Sequence, residues 1–446
     1  MERKSKREEE DEPCGRKRFK LDAKQQELST DDFSWFILPI ELATLILNFA
    51  VAPKPSRLPS RDQYGERKDV VTWIVCRFVC KQWREIIPHL QGLSSSFSSC
   101  AAARGYLGLL KWARKQNCYW DDITCSKAAK RGQLEVLKWL RENGCIWSSA
   151  SCWQAAGRGH LEVLKWLLEN QCRWDKVVCS NAAYGGHLEV LKWLLENRYP
   201  FPENICLIAA RRGHLEVLKW ARENGHGWGS TCASAAAGGH LQVLKWAKEN
   251  GCEWDSETCA EAARKGHLEV LKWARANGCI WDQRTCNYAV DGGHLDLLKW
   301  ARDNGCSWNA DHLCDAAAEK GHLEVLKWLR AEGCSWSANT CKVAASGGYF
   351  EMLKWLRANG CHWDQQTCAA AAYGNHLEIL KWARENGCEW DSETGRNAAV
   401  CGYLEVLKWL HANGYPLNEG VIEAAARYQR REVVSWARAN GFPEKT

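Results

Sequence analysis

Cysteine, histidine and tryptophan are the residues of this chain whose type and spacing could do chemistry. Its 446 residues include 24 Cys, 13 His and 27 Trp, against 2 Met and 10 Pro. Gly-Cys-x-Trp occurs at Cys145, Cys252, Cys279, Cys306, Cys334, Cys361 and Cys388, and a second Cys usually follows seven residues later, as Cys152 follows Cys145. Zinc needs four ligands converging on one point, usually from close Cys pairs. A seven-residue spacing repeated along the chain offers two ladders and no cluster. It predicts small buried apolar side chains, with metal binding, disulfides and redox sensing as the alternatives. Cys76 and Cys80 lie one helical turn apart with no His or second Cys pair nearby in sequence, and take the same reading. His160, His187, His214 and His267 recur just as regularly. They could ligate metal or sense pH, but the regularity predicts a structural hydrogen bond in a turn. No cofactor is expected.

Two further patterns bear on nucleic acid. Trp recurs in two ladders, one running from Trp112 through Trp139 to Trp409, the other including Trp147, Trp174 and Trp254. Stacked rings could hold bases only beside a cationic stripe. The stripe from Lys111 and Lys138 to Lys408 is offset by a Glu three residues earlier, as Glu269 is to Lys272. The formal net charge of +6 is too small for this length to force nucleic-acid binding. Trp bridging neighbouring units is the expected role. There is no Gly-rich phosphate loop and no nucleophile–base pairing outside the repeats, so catalysis is not expected.

The elements that position these residues come from one repeated unit. Gly-His-Leu-Glu-Val-Leu-Lys-Trp starts unaltered at Gly159, Gly186, Gly213, Gly266 and Gly321, with variants at Gly105, Gly132, Gly239, Gly293, Gly348, Asn375 and Gly402. Successive starts are 27 residues apart, with single steps of 26 and 28. Such a period marks a solenoid. In the unit around Trp254, Asp255 is an N-cap and Ser256 and Glu257 suit a first helical turn. A short helix through Cys259, Ala262 and Ala263 ends at Gly266, and a second runs from Leu268 to about Asn277. Leu268, Val270, Leu271, Trp273 and Ala274 cover over half of that second helix, more than the ~100° a lone surface helix buries. Each hairpin is therefore completed by the units before and after it. A dozen units spaced ~8–10 Å apart make a curved rod on the order of 100 Å long. The degenerate last unit, with Arg430-Arg431 and Trp436, fits a cap.

Ala-Ala-x-x-Gly-His-Leu-Glu-Val-Leu-Lys-x-Leu, closed by Glu-Asn-Gly, resembles the ankyrin repeat over roughly residues 94–443. The unit is 27 residues against about 33 in ankyrins, and the shortfall lies where ankyrins carry their β-turn finger. The resemblance implies an all-α, ankyrin-like solenoid of about 13 helix–turn–helix repeats with reduced fingers. Residues that vary between units are free for recognition. Just before the inter-helix turn these include Lys130, Arg131, Arg158, Tyr184, Arg211, Arg212, Arg264, Lys265, Asp291, Glu319, Lys320 and Tyr373, and the first half of this row is the more basic. Tyr119, Ile146, Arg173, Glu253, Ile280, His362 and Glu389 vary beside the turn Cys. A mixed charged and aromatic surface of this kind suits a protein partner.

Residues 33–90 differ from the repeats. Leu38-Pro39-Ile40-Glu41-Leu42, an apolar helix, then Val79-Cys80-Lys81-x-Trp83-Arg84 resemble an F-box, with a Pro-rich charged insert over residues 53–69 longer than that family usually carries. The resemblance implies a small helical domain whose Leu38, Pro39, Ile40, Leu42, Val79, Cys80 and Trp83 pack on the Skp-type adaptor of a cullin-RING ubiquitin ligase. The alternative is a hydrophobic cap on the first repeat. Residues 33–52 carry one charge, Glu41, near their middle, which argues against a membrane span. Residues 1–32 hold 9 Lys/Arg and 10 Asp/Glu and are expected to be disordered, with two basic clusters patterned like a bipartite nuclear-import signal.

The whole arrangement is similar to F-box plus short-ankyrin proteins encoded by giant DNA viruses of amoebae. The expectation is an interaction adaptor: the array binds a target protein while the F-box-like segment recruits the ligase. A binding scaffold without ubiquitin and, third, a nucleic-acid binder are the alternatives. A monomer in the cytoplasm or nucleus, of an infected host cell on this resemblance, is expected. The start of the chain has no apolar signal core, so secretion is not expected.

Overall fold

The computed structural model describes residues 95–441 apart from 116, 417 and 418. The charged tail, the import-like clusters and the F-box-like positions Leu38, Pro39, Ile40, Leu42, Val79, Cys80 and Trp83 lie outside the described residues. The described residues form 26 α-helices and no strand, so the all-α expectation holds. No helix among them is long and apolar enough to cross a membrane.

The described residues fall into two units, one holding residues 106–115 with 117–118 and the other residues 95–105 with 119–441 apart from 417 and 418. In the first, the helix Leu107–Lys115 repeats the Leu-Leu-Lys-Trp pattern and buries Leu109, Leu110 and Ala113. The second is a solenoid of helix–turn–helix hairpins.

The hairpin that opens at Asp255 shows why the sequence folds this way. Asp255 is extended, at φ −135°, and its carboxylate accepts the Glu257 N–H at 3.0 Å, starting the helix Ser256–Arg264. Asp282, Asp364 and Asp391 cap their helices in the same manner. Gly266, at φ +77°, turns the chain, and the His267 N–H closes back on the Ala262 carbonyl at 2.9 Å. The second helix, Leu268–Ala276, ends where the Asn277 amide donates to the Trp273 carbonyl at 2.8 Å. This Asn cap recurs from Asn143 to Asn440. The next loop is only Gly278, Cys279, Ile280 and Trp281, so no finger projects.

Packing follows from side-chain size. The helix Ser256–Arg264 lies between the first helices of its neighbours, Thr231–Gly238 and Gln283–Gly292. Cys259, Ala262 and Ala263 face those contacts with no exposed surface, and their small size permits the close approach. Second helices, with their larger Leu and Trp side chains, stand further apart, Leu188–Glu196 and Leu215–Glu223 making the nearest approach between them among the described residues. Val270, Leu271 and Ala274 are buried, each Leu-sized side chain contributing about 2 kcal/mol. Leu268 and Trp273 are only half-buried, so cover on the second-helix side is partial.

Candidate functional site

The turn histidines reach across units. Nε2 of His160 meets the Lys130 carbonyl at 3.2 Å, that of His214 the Tyr184 carbonyl at 3.0 Å, and that of His294 the Arg264 carbonyl at 3.1 Å. A carbonyl can only accept, so Nε2 is the donor in each. The expected hydrogen bond within a turn is instead a bond to the preceding unit, 30 residues back. It fixes the backbone of the pre-turn residue, where the variable side chains start. Arg430 replaces the last His and donates to the Val400 carbonyl at 2.7 Å.

Three of the turn imidazoles carry a pH signature. Burial, followed by neighbouring imidazoles and cations, holds His187, His240 and His267 below the usual 6.5. The unfolded chain then binds more protons than the folded one as pH falls below that value. Stability is full above about 6.5 and is lost as pH falls through and below it. The expected result is a lower thermal midpoint at about pH 5 than at about pH 7.5, with a smaller drop in the triple variant His187→Gln, His240→Gln, His267→Gln. Equal slopes for the two proteins would contradict the assignment.

The other recurrent residues are used within the stack. The described Cys are unbridged thiols, nearly all buried. Their partners lie twenty residues away rather than seven: Sγ of Cys125 is 3.3 Å from that of Cys145, and Sγ of Cys232 is 2.7 Å from that of Cys252. Burial pushes Cys179 and Cys314 up to about 12 and Cys206 up to about 11. The hydrogen bond from its partner thiol shifts Cys252 the other way, and among the described residues no group of three His, Cys, Asp or Glu side chains is placed to hold a metal ion. Most turn Trp meet a second-helix Trp edge-on, as Trp254 meets Trp273 with ring centroids 5.6 Å apart at 69°, while Trp174 meets Tyr199 at 5.1 Å and 39°. A cation from the preceding second helix covers a face of the same ring, Arg275 lying 4.1 Å over Trp281 and Lys248 4.5 Å over Trp254. The Trp thus joins two hairpins. Most second-helix lysines are ion-paired, such as Lys272 with Glu269 at 2.9 Å and Lys219 with Glu216 at 2.8 Å.

What remains for recognition is the pre-turn edge. Lys130 and Arg264 are half-buried there, while Arg131, Arg158, Tyr184, Arg211, Arg212, Lys265 and Tyr373 are exposed. Tyr184, Arg211, Arg212 and Lys265 come together around a cleft of about 520 Å³, floored by Ala237, Gly238 and His240. Ala237 and Gly238 carry no sequence signal of their own, and only the fold places them between two cationic units. The Arg212 guanidinium lies 4.2 Å over the Tyr184 ring. Arg264 is turned away, 3.0 Å from Glu261 and 3.9 Å over the Tyr288 ring. Lys130, Arg131, Arg158 and Tyr373 stand on other units and do not line the cleft. The second variable row, with Tyr119, Ile146 and Ile280 each about two-thirds exposed, lies at the opposite end of the first helices.

Residues 152–195, 179–222 and 313–357 match the family described as ankyrin repeats (many copies). No curated protein matches the chain. Among solved structures, the human ASB11 ankyrin repeat domain is 20% identical, covering 42% of this chain and 99% of its own, with a TM-score of 0.35. The maize pentatricopeptide repeat protein PPR10 is 14% identical over 92% of this chain and 79% of its own, with a TM-score of 0.26. Its complex with an 18-nt psaJ RNA element gives 14%, 91%, 74% and 0.25. At these TM-scores the two superpose too loosely to carry any argument. The repeats of residues 152–222 and 313–357 are thus similar in sequence to ankyrin repeats, and the solenoid that contains them is all-α and ankyrin-like.

Proposed function

We propose that this protein is an interaction adaptor whose array holds a target protein along the pre-turn edge. A single observation carries the reading. The recurring Cys, His and Trp are mostly engaged between hairpins and most recurring Lys are paired with a Glu on their own helix, whereas non-recurring Tyr184, Arg211, Arg212 and Lys265 line one open cleft. Lys130, Arg131, Arg158, Arg264 and Tyr373 extend the same row on other units. The covered Trp rings favour a protein over a nucleic acid, which would need open aromatic faces.

In the same proposal, residues 33–90 recruit a Skp-type adaptor of a cullin-RING ubiquitin ligase, in the cytoplasm or nucleus of a host cell. This half is supported by the F-box resemblance of Leu38, Pro39, Ile40, Leu42, Val79, Cys80 and Trp83. Catalysis is then lent by the ligase. The test is co-purification of the full chain with a Skp adaptor, compared with a chain carrying Leu38→Asp and Pro39→Asp. Capture by the wild type and its loss in the variant are expected. A wild type that captures no adaptor leaves the array as a binding scaffold without a ubiquitin link.

A further inference from the structure

We infer that the target segment held at the pre-turn edge is a carboxylate-rich peptide strand, anchored at the cleft of Tyr184, Arg211, Arg212 and Lys265. This rests on the adaptor reading and names the chemistry of its partner.

The cleft is cationic and has no built-in counter-ion. Its lining holds two Arg and one Lys and no carboxylate. Many cations elsewhere on the array are neutralised locally, as Lys192 is by Glu189, Lys219 by Glu216 and Arg264 by Glu261. Arg211, Arg212 and Lys265 make no such pair among the described residues. Leaving three neighbouring cations unpaired costs self-repulsion, which an anionic ligand relieves.

The geometry is prepared rather than loose. Tyr184 holds Arg212 through its ring face, and the pre-turn carbonyl of Tyr184 is tied to His214. The floor is kept open by a small residue. A Cβ at Gly238 would lie 2.3 Å from the Arg211 carbonyl oxygen, so glycine lets the two units approach here and leaves no side chain between the Arg211-Arg212 unit and the Lys265 unit.

Charge along the edge is uneven. Arg104, Lys130, Arg131, Arg158, Arg211, Arg212, Arg264 and Lys265 come before any pre-turn acid, and Asp291 and the ion-paired Glu319 and Lys320 follow. An acidic strand is therefore attracted to the units before residue 291 and not to those beyond them. From Tyr184 to Lys265 is three unit steps of ~8–10 Å, which an extended peptide of about eight residues spans at ~3.3 Å per residue. A nucleic acid would share the attraction but finds the Tyr184 face already covered by Arg212.

The test is fluorescence anisotropy of the full chain with labelled oligoglutamate and oligoglutamine peptides of about eight residues, the length that spans the cleft, and with labelled oligothymidylate. The wild type is expected to bind oligoglutamate saturably, more weakly as salt rises, and to ignore oligoglutamine. The double variant Arg212→Glu, Lys265→Glu is expected to lose about tenfold or more in affinity. Lys192→Glu with Lys219→Glu makes the same change in net charge on the second-helix face and should stay within about threefold.

No binding of oligoglutamate, equal loss in both double variants, or tighter binding of oligothymidylate overturns the inference. The two-peptide comparison on the wild type decides the charge claim even for a variant that fails to fold. A target protein whose capture depends on Arg212 and Lys265, alongside an oligoglutamate that does not bind, sinks this inference and leaves the adaptor reading standing. Capture that is indifferent to both residues removes the two together.

Discussion

Replacing Leu271 by Ala is expected to destabilise the array by about 3 kcal/mol. Leu271 has no exposed surface and sits mid-way along the Leu268–Ala276 helix. Its loss removes apolar contact and leaves a cavity that neighbours on several sides close only in part. The comparison is Lys272→Ala, one residue along. Lys272 is paired with the largely exposed Glu269, and an exposed pair of this kind contributes at most about 0.5 kcal/mol. Urea unfolding of the two variants checks the difference. In a stack of near-identical units a loss at one hairpin also weakens its neighbours' cover, so the Leu271→Ala transition should broaden as well as shift. Equal midpoints for the two variants would mean that the second-helix leucines are not the shared interior.

The second large effect is at Gly266. Its φ of +77° suits glycine, and a Cβ there would lie 2.5 Å from Nδ1 of His294 in the next unit. Gly266→Val therefore costs the left-handed backbone strain, about 1–2 kcal/mol for any side chain and more for a branched one. It also displaces the ring that bonds the Arg264 carbonyl at 3.1 Å, about 1 kcal/mol more. The sum is about 3 kcal/mol. Gly278 separates the two causes. It has φ +85°, but nothing lies within 4 Å of a Cβ there. Gly278→Ala should cost about 1 kcal/mol, from the backbone alone. Asn375 shows what the turn position accepts: it adopts φ +61° with a side chain that tolerates this region. Thermal unfolding of both glycine variants is the check, with equal losses contradicting the role given to His294.

These pairs also show how far the sequence could be read. The hairpin is a local object, and Asp255, Gly266 and Gly278 mark its ends by their own chemistry, so its boundaries are legible to within a residue. The shared interior is legible because a fixed period repeats the same apolar face. Contacts between hairpins are less so. Nothing in the spacing of His294 says that its ring reaches Arg264, 30 residues back, because that depends on how one hairpin is set against the last. Cys232 and Cys252 are separated by a whole hairpin, so their contact is hidden from a reading centred on the seven-residue spacing. The Asn277 amide and the Arg275 guanidinium look like ordinary polar surface until the fold brings them to the Trp273 carbonyl and the Trp281 ring.

The candidate edge divides in the same way. That Tyr184, Arg211, Arg212 and Lys265 are free of the scaffold follows from their failure to recur. That they share one cleft requires Ala237 and Gly238 to be small at one particular place, and their neighbours in sequence do not reveal it. Arg264 had the same sequence signal as Lys265, yet Glu261 lies one turn earlier on its own helix and holds it.

The account rests on hairpins that are interchangeable parts of one continuous interior. Excising one period, residues 256–282, tests this most directly, because Asp255 then takes the place of Asp282 as the cap of the following helix. The predicted result in urea unfolding is a folded chain of unchanged helicity per residue. Its stability falls by about one unit's share, and its denaturant dependence becomes shallower in proportion to the surface removed. An unfolded or aggregated chain after this in-register excision would contradict the account.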